Sequence, residues 1–171
     1  MIYCCLQSTN PFPVRREATD ESVHPRQLQH PPGLREDFPT PTPADNEVLV
    51  RVRASSVNGA DGAIAAGMMS GMVDHEFPVV LGRDYAGVVE QAGSDVRRYT
   101  EGDEVYGFLP HANPTVHDGT WTELIVVPED NFVARKPASA ELTAAGAAPL
   151  AGISAMSALD ALETQKATLS W

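Results

Sequence analysis

Cysteine is nearly absent from the 171 residues: there are two, and they are adjacent, Cys4 and Cys5. Adjacent thiols cannot build a disulfide framework, nor supply the C-x-x-C pair of a zinc site. They read as surface thiols, with reversible acylation as the other use of such a pair. Basic residues are scarce as well, 12 Lys and Arg against 23 Asp and Glu, which gives a formal net charge of -11 with no block of like charge. That balance argues against a nucleic-acid backbone or an anionic membrane as the main partner. No apolar stretch approaches the roughly 20 residues that a membrane-spanning helix needs, so no transmembrane helix is expected. The opening MIYCCLQSTNPFPVRREATDE has no basic segment leading into an apolar one. Its early acids also count against a mitochondrial presequence, so a cytoplasmic location is expected. The partner left by these exclusions is a small molecule or another protein.

Composition shifts once along the chain. Residues 7–45 hold Pro31-Pro32 and the Pro39, Pro41, Pro43 series among scattered charges, with few aliphatics. Such a segment buries too little apolar surface to offset its ordering entropy, so residues 1–33 are expected to be an extended, poorly ordered lead-in. From Asn46 onward short aliphatic runs alternate with glycine and acidic turn residues, the pattern of a mainly β domain. The clearest strand is EVLVRVRAS, in which Val48, Val50 and Val52 alternate with Leu49, Arg51 and Arg53. Asn58 is placed to cap a short helix over NGADGAIAAGMM, with Ile64 and Met68 four apart on one face. YAGVVEQAG, DEVYGF, TELIVV and NFVARK follow as further strands, which together predict a strongly bent sheet or small barrel. The last third, ELTAAGAAPLAGISAMSALDAL, is alanine-rich; Ile153, Met156, Leu159 and Leu162 recur every three residues as one helical stripe, and Pro149 should split the segment into two helices.

Four blocks in order carry a family resemblance: PTPTPADNEVLVRVRASSVNGAD, FPVVLGRDYAGVVEQAGSDV with YTEGDEVYGF, GTWTELIVVPEDNFVARKP, and LTAAGAAPLAGISAMSAL. The chain resembles the N-terminal half of a medium-chain dehydrogenase/reductase, the GroES-like or alcohol-dehydrogenase-like N-terminal domain, over about residues 34–162. The resemblance implies a GroES-like bent barrel over residues 34–137, and over 138–171 the helical start of a Rossmann (α/β) nucleotide-binding domain, with an active site in the cleft between the two. Zinc-dependent members hold catalytic zinc with a cysteine where this chain has Asn58, and with a histidine where it has Arg83. No cysteine follows Cys5 to form a structural zinc lobe, and His24, His30, His75, His111 and His117 lack ligand spacing. The resemblance therefore narrows to the zinc-independent, quinone-oxidoreductase-like branch, whose V-N-x-x-D motif is reproduced by Val57-Asn58-Gly59-Ala60-Asp61.

The same resemblance implies the site residues. Asn58 would face the nicotinamide or the substrate, its amide able to donate and accept; the other reading is a helix cap alone. Asp61 would stand beside it in the catalytic set, or serve the helix as a first-turn acid. Arg83 in LGRDYAG would stabilise a developing enolate oxygen or hold a cofactor phosphate, or else pair with Asp84 or another acid. Tyr85 reads as core. Ser154 in GISA matches the family's Thr on the nicotinamide side of the helix start; otherwise it is a back-bonded helical serine.

The family reaction is hydride transfer from the nicotinamide of NADPH to a quinone, an enone or a carbonyl, without zinc. No G-x-G-x-x-G follows a strand anywhere in the sequence, and after the helical stripe the chain reads ETQKATLSW. The expectation is thus the catalytic-domain portion of such an oxidoreductase, incomplete as a stand-alone enzyme, which binds NADPH poorly by itself and lacks the usual Rossmann-mediated dimer. The second expectation is a non-catalytic GroES-like remnant that binds a small molecule or a protein, with the segment from Leu142 to Leu162 as an exposed apolar patch.

Overall fold

The structure, a computed structural model, describes residues 3–6, 33–35, 40–69, 79–110 and 119–161. Strand β3 (Glu47–Ala54) is an interior strand of a five-stranded sheet, between β7 (Leu124–Pro128) and β5 (Asp84–Ala92); beyond β5 lie β6 (Glu104–Phe108) and β8 (Val133–Arg135), giving the order β7-β3-β5-β6-β8. Every pairing in it is antiparallel, with register contacts such as Val50↔Val89, Val50↔Ile125 and Asp84↔Phe108. β1 (Tyr3–Leu6) is the middle strand of a second sheet of three, flanked by β2 (Gly33–Arg35) and β4 (Val79–Val80). Ahead of residue 40 the described stretches, 3–6 and 33–35, are strands, and the opening YCCL pairs with Val79 and Val80 just ahead of β5.

The β propensity of the aliphatic runs is realised as one core. Val48, Val50, Tyr85, Val89, Val105, Leu109, Ile125 and Val127 meet in it, each of the valines contributing on the order of 1.5–3 kcal/mol by leaving water. The pairing of β3 with β5 shifts register between Leu49 and Val50 and again between Val52 and Ala54, irregularities of the kind that bend a strand. The period-two reading of β3 needs one correction. Leu49, which alternates with the core valines, is buried as well, and α2 (Leu142–Ala147) packs on β3 and β5. Gly146 is what brings the helix so close: a Cβ there would lie 2.8 Å from the Ala54 Cβ.

Helix α1 (Gly59–Ala65) starts at the Asn58 cap, as expected, and buries Ile64. Met68 does not share that face. The helix ends at Ala65, Gly67 takes a φ of +72°, and Met68 is 70% exposed. Pro149 opens α3 (Pro149–Ala161) immediately after α2, the first-turn position that proline tolerates. The α3 stripe is not core either: Ile153, Met156 and Leu159 are 42%, 59% and 49% exposed. Leu162 and all five histidines lie outside the described residues. Among the described residues no helix is long and apolar enough to cross a membrane.

Candidate functional site

The chain passes from one sheet to the other through Leu81-Gly82-Arg83, between β4 and β5. Gly82 has a φ of +95°, a conformation that side chains other than glycine's rarely adopt. A Cβ on it would also come within 2.3 Å of the Trp121 ring and 2.8 Å of the Trp121 nitrogen. This crossover is the floor of the site. Its N–H donates to Asp61 Oδ1 at 3.0 Å, its carbonyl accepts from Thr120 N–H at 3.1 Å, and the Leu81 carbonyl accepts from Trp121 N–H at 2.8 Å.

Asp61 projects from the first turn of α1 and is 1% exposed. Its two carboxylate oxygens accept from two backbone donors, Asn58 N–H on Oδ2 at 2.7 Å and Gly82 N–H on Oδ1. The carboxylate thus clamps the start of α1 to the crossover, and completes the return half of a capping box. The loop of residues 55–58 is held from the other side by the segment leading into β7: Trp121 Nε1–H donates to the Ser56 carbonyl at 3.0 Å, and the Ser55 and Thr120 hydroxyls are 2.9 Å apart.

Asp84, the first residue of β5, is the hub. It is 1% exposed and receives three donors from two segments distant in sequence, the loop of residues 55–58 and the start of α3. Ser56 Oγ–H and Asn58 Nδ2–H converge on Oδ2, the latter at 3.0 Å, and Leu150 N–H in the first turn of α3 donates to Oδ1 at 2.7 Å. Asn58 Nδ2 also lies 3.0 Å from Ser56 Oγ. Arg83 is buried, and its carbonyl accepts from Leu109 N–H at 2.9 Å. Tyr85 points into the core, and its hydroxyl is the one buried side-chain polar atom without a hydrogen-bond partner among the described residues; burial pushes the phenol strongly upward.

Beside Asp84 lies a cavity of about 350 Å³, lined by Tyr106, Phe108, Phe132, Ala148, Pro149 and Ile153 among others. Phe108 pairs in register with Asp84, and its ring stands 4.7 Å from that of Phe132, tilted by 52°. The apolar cavity is linked to the polar cluster through Phe108, the register partner of Asp84, and through Pro149, which precedes the Leu150 N–H that Asp84 accepts. Among the described residues no cluster of three or more His, Cys, Asp or Glu could hold a metal ion.

Of the residues singled out from the sequence, Asn58, Asp61 and Arg83 come together around the crossover. Ser154 stands apart from them in role: it is exposed on α3 and its hydroxyl donates to the Leu150 carbonyl at 2.8 Å, the back-bonded arrangement. Sequence reasoning missed Ser56, Thr120, Trp121 and the part played by Asp84. The one signal available was position, since Ser56 is two residues before Asn58 and Asp84 directly follows Arg83.

Residues 44–138 match the alcohol dehydrogenase GroES-like domain family. The chain belongs to that family. It stands within the medium-chain dehydrogenase/reductase superfamily, among quinone oxidoreductases and alcohol-dehydrogenase-like proteins. It is 39% identical over 121 residues to a quinone-oxidoreductase homolog, chloroplastic, of Spinacia oleracea, a match that covers 70% of this chain and 35% of the relative. To the human NAD(P)H oxidoreductase RTN4IP1, mitochondrial, it is 39% identical over 127 residues, covering 67% of this chain and 31% of that protein. Among solved structures, the quinone oxidoreductase from Coxiella burnetii superposes with a TM-score of 0.72 at 24% identity, over 98% of this chain and 46% of the other, which shows the shared fold. The chain spans about a third of the length of the curated relatives that it matches.

Proposed function

We propose that this chain supplies the catalytic-domain half of the active site of an NADPH-dependent, zinc-independent oxidoreductase that reduces a quinone, an enone or a carbonyl by hydride transfer. The observation that carries this reading is the Asn58–Asp84 cluster against an apolar cavity, in a chain whose relatives are named quinone and NAD(P)H oxidoreductases. The residues fit one end of the cofactor. Asn58 can hydrogen-bond a carboxamide, and the aromatic cavity suits a flat apolar substrate. The sequence has no glycine-rich turn after a strand to take a pyrophosphate, so the dinucleotide-binding half is not supplied by these residues.

When bound, the reduced nicotinamide supplies the hydride. In this reading Asn58 orients the carboxamide or the substrate oxygen, held in place by Ser56 and Asp84, and Arg83 places a permanent positive charge near the oxygen on which negative charge develops. The proton then comes from solvent. Asp61 acts as a positioning residue, since both its oxygens are committed to main-chain donors. Ser154 belongs to the cofactor side, where its hydroxyl would exchange the Leu150 carbonyl for the nucleotide. The expected cytoplasmic location is part of the same proposal and is decided by fractionating cells that express the chain, since the relatives quoted are named for the chloroplast and the mitochondrion.

Calorimetric titration of NADPH tests the division of labour, with the full-length spinach relative as control. Binding at least tenfold weaker than in the control is expected, and equal affinity would refute the claim that the pyrophosphate site is missing. The exposed apolar residues of α3 favour a second reading, a non-catalytic module that binds a small molecule or a protein partner through that face. It gains if a purified complex with such a partner forms and no NADPH binding is found.

A further inference from the structure

We propose that Phe132 is a specificity-determining residue: its ring, set against Phe108 at the apolar cavity, selects a flat fused-ring quinone from the three classes of acceptor named above, against puckered aliphatic enones and carbonyls. The proposal rests on the reading above, in which the cavity takes the substrate, and deepens it by naming the substrate class and the side chain that chooses it.

Phe132 suits neither its backbone nor its exposure. Its φ is +50°, the only positive value at a residue other than glycine among the described residues, and a bulky side chain is costly there. The residue is also 51% exposed, where a polar side chain would serve as well. The neighbouring strand is what fixes this backbone. Phe108 N–H donates to the Phe132 carbonyl at 3.3 Å, and Gly107 comes so close that a Cβ on it would lie 2.0 Å from that carbonyl oxygen. Gly or Asn would meet the conformational demand at less cost, so the reason for a phenylalanine lies in what its ring touches.

The ring touches the cavity and Phe108. The two centroids are 4.7 Å apart with the planes tilted by 52°, and both residues line the cavity. A third ring entering it meets two aromatic partners at an angle, which offset and edge-to-face contacts accommodate. Another part of the lining comes from α3, where Pro149, Gly152 and Ile153 are three and four apart on one helix face. Gly152 leaves that face bare, since a Cβ on it would meet nothing within 4 Å. Of all the lining residues only Tyr106 carries a polar side-chain atom, and none is charged. At about 350 Å³ the cavity is at the small end of the roughly 300–1,000 Å³ of ligand sites. A small, carbon-lined space with an aromatic pair at its wall fits a planar molecule of one or two rings.

The test titrates the full 171-residue chain, isotopically labelled, with two probes. One is naphthoquinone methylated at both free quinone carbons, which blocks addition of the Cys4 and Cys5 thiols; the other is decalone, a saturated two-ring ketone of similar size. Shifts at Ile153 and Phe132 should saturate with the naphthoquinone, which should bind about fivefold more tightly than decalone, the preference that an aromatic pair confers. Phe132→Tyr should keep that preference, and Phe132→Leu should reduce it to less than about twofold. Equal binding of the two probes by the wild type, binding of neither, or a preference that survives in Phe132→Leu overturns the proposal.

Two further variants keep the site and the fold apart. Gly152→Leu puts a side chain on the bare face of α3 and favours the helix, so naphthoquinone affinity should fall at least about tenfold with no loss of stability to urea; undiminished binding overturns the proposal. Phe132→Asn relieves the φ of +50° and should be no less stable than the wild type, whereas a clear loss would make Phe132 a packing residue and overturn the proposal. A chain that shows the stated preference, yet passes no hydride to a quinone once joined to a nucleotide-binding half, counts against the proposed function and leaves the aromatic site standing.

Discussion

Replacing Asp61 with asparagine changes one atom of a buried clamp and leaves its shape intact. Asp61 is 1% exposed, and each of its oxygens accepts one backbone N–H, from Asn58 at 2.7 Å and from Gly82 at 3.0 Å. Asparagine has one acceptor and one donor group, so whichever way its amide turns, one of the two N–H groups meets an N–H. One charge-assisted bond is then lost, one is weakened, and a donor buried at the crossover has no partner. At about 1.5–3 kcal/mol for a hydrogen bond to a charged group and about 1–3 kcal/mol for an orphaned buried donor, the expected loss is about 3 kcal/mol. For a folded unit of this size that corresponds to a fall in Tm of about 10 °C. Urea unfolding followed by circular dichroism measures it, and the transition midpoint should drop with little change in slope. Asp61→Ala, which orphans both donors, should lose at least as much. A loss under about 1 kcal/mol in either variant would refute the assignment of Asp61 as the clamp of α1 to the crossover.

Gly82→Ala should be destabilised by at least about 2 kcal/mol, because a φ of +95° and a Cβ within 2.3 Å of the Trp121 ring leave alanine no room; chemical denaturation checks it. Tyr85→Phe should be neutral or more stable by up to about 1 kcal/mol, since it removes a buried hydroxyl without a partner, and a clear loss would show a bond not accounted for. The Arg135 side chain and the Thr100 N–H hold the Asp103 carboxyl below the ordinary range, and the Arg98 and Arg97 backbone N–H groups do the same for Glu129. Depressed carboxylate pKa values mean that the stability they supply is present above the unfolded pKa and is lost as pH falls through the folded one. Asp103→Asn and Glu129→Gln should therefore flatten the loss of thermal stability below about pH 4 and lower stability near neutrality.

Much of the fold was legible because local patterns and tertiary packing agree. EVLVRVRA alternates, and it is an interior strand paired on both sides; Asn58 with Asp61 three residues on marked a helix start, and both residues serve it. Leu49 departs from the period-two reading because alternation does not say whether both faces of a strand are covered, and here Val48, Leu49 and Val50 are all buried. The stripe of Ile153, Met156 and Leu159 marked a helix correctly, yet an apolar stripe cannot say what covers it. Asn58 and Arg83, half-buried and buried near the crossover, were singled out by motif resemblance. Asp84 was not, because its importance comes from Leu150, 66 residues away, and from Ser56, neither of which is related to it by any local spacing. Ser154 shows the converse, a motif position whose hydroxyl is engaged within its own helix.

The central claim is that residues 40–161 carry the substrate-facing half of a hydride-transfer site. Joining this segment to the remaining part of the spinach quinone-oxidoreductase homolog, to which it is 39% identical over the matched region, tests that claim most directly. The fused protein should oxidise NADPH in the presence of a quinone, and Asn58→Ala should lower kcat/KM by at least tenfold. A fusion that folds and binds NADPH but transfers no hydride to a quinone, an enone or a carbonyl would contradict the account.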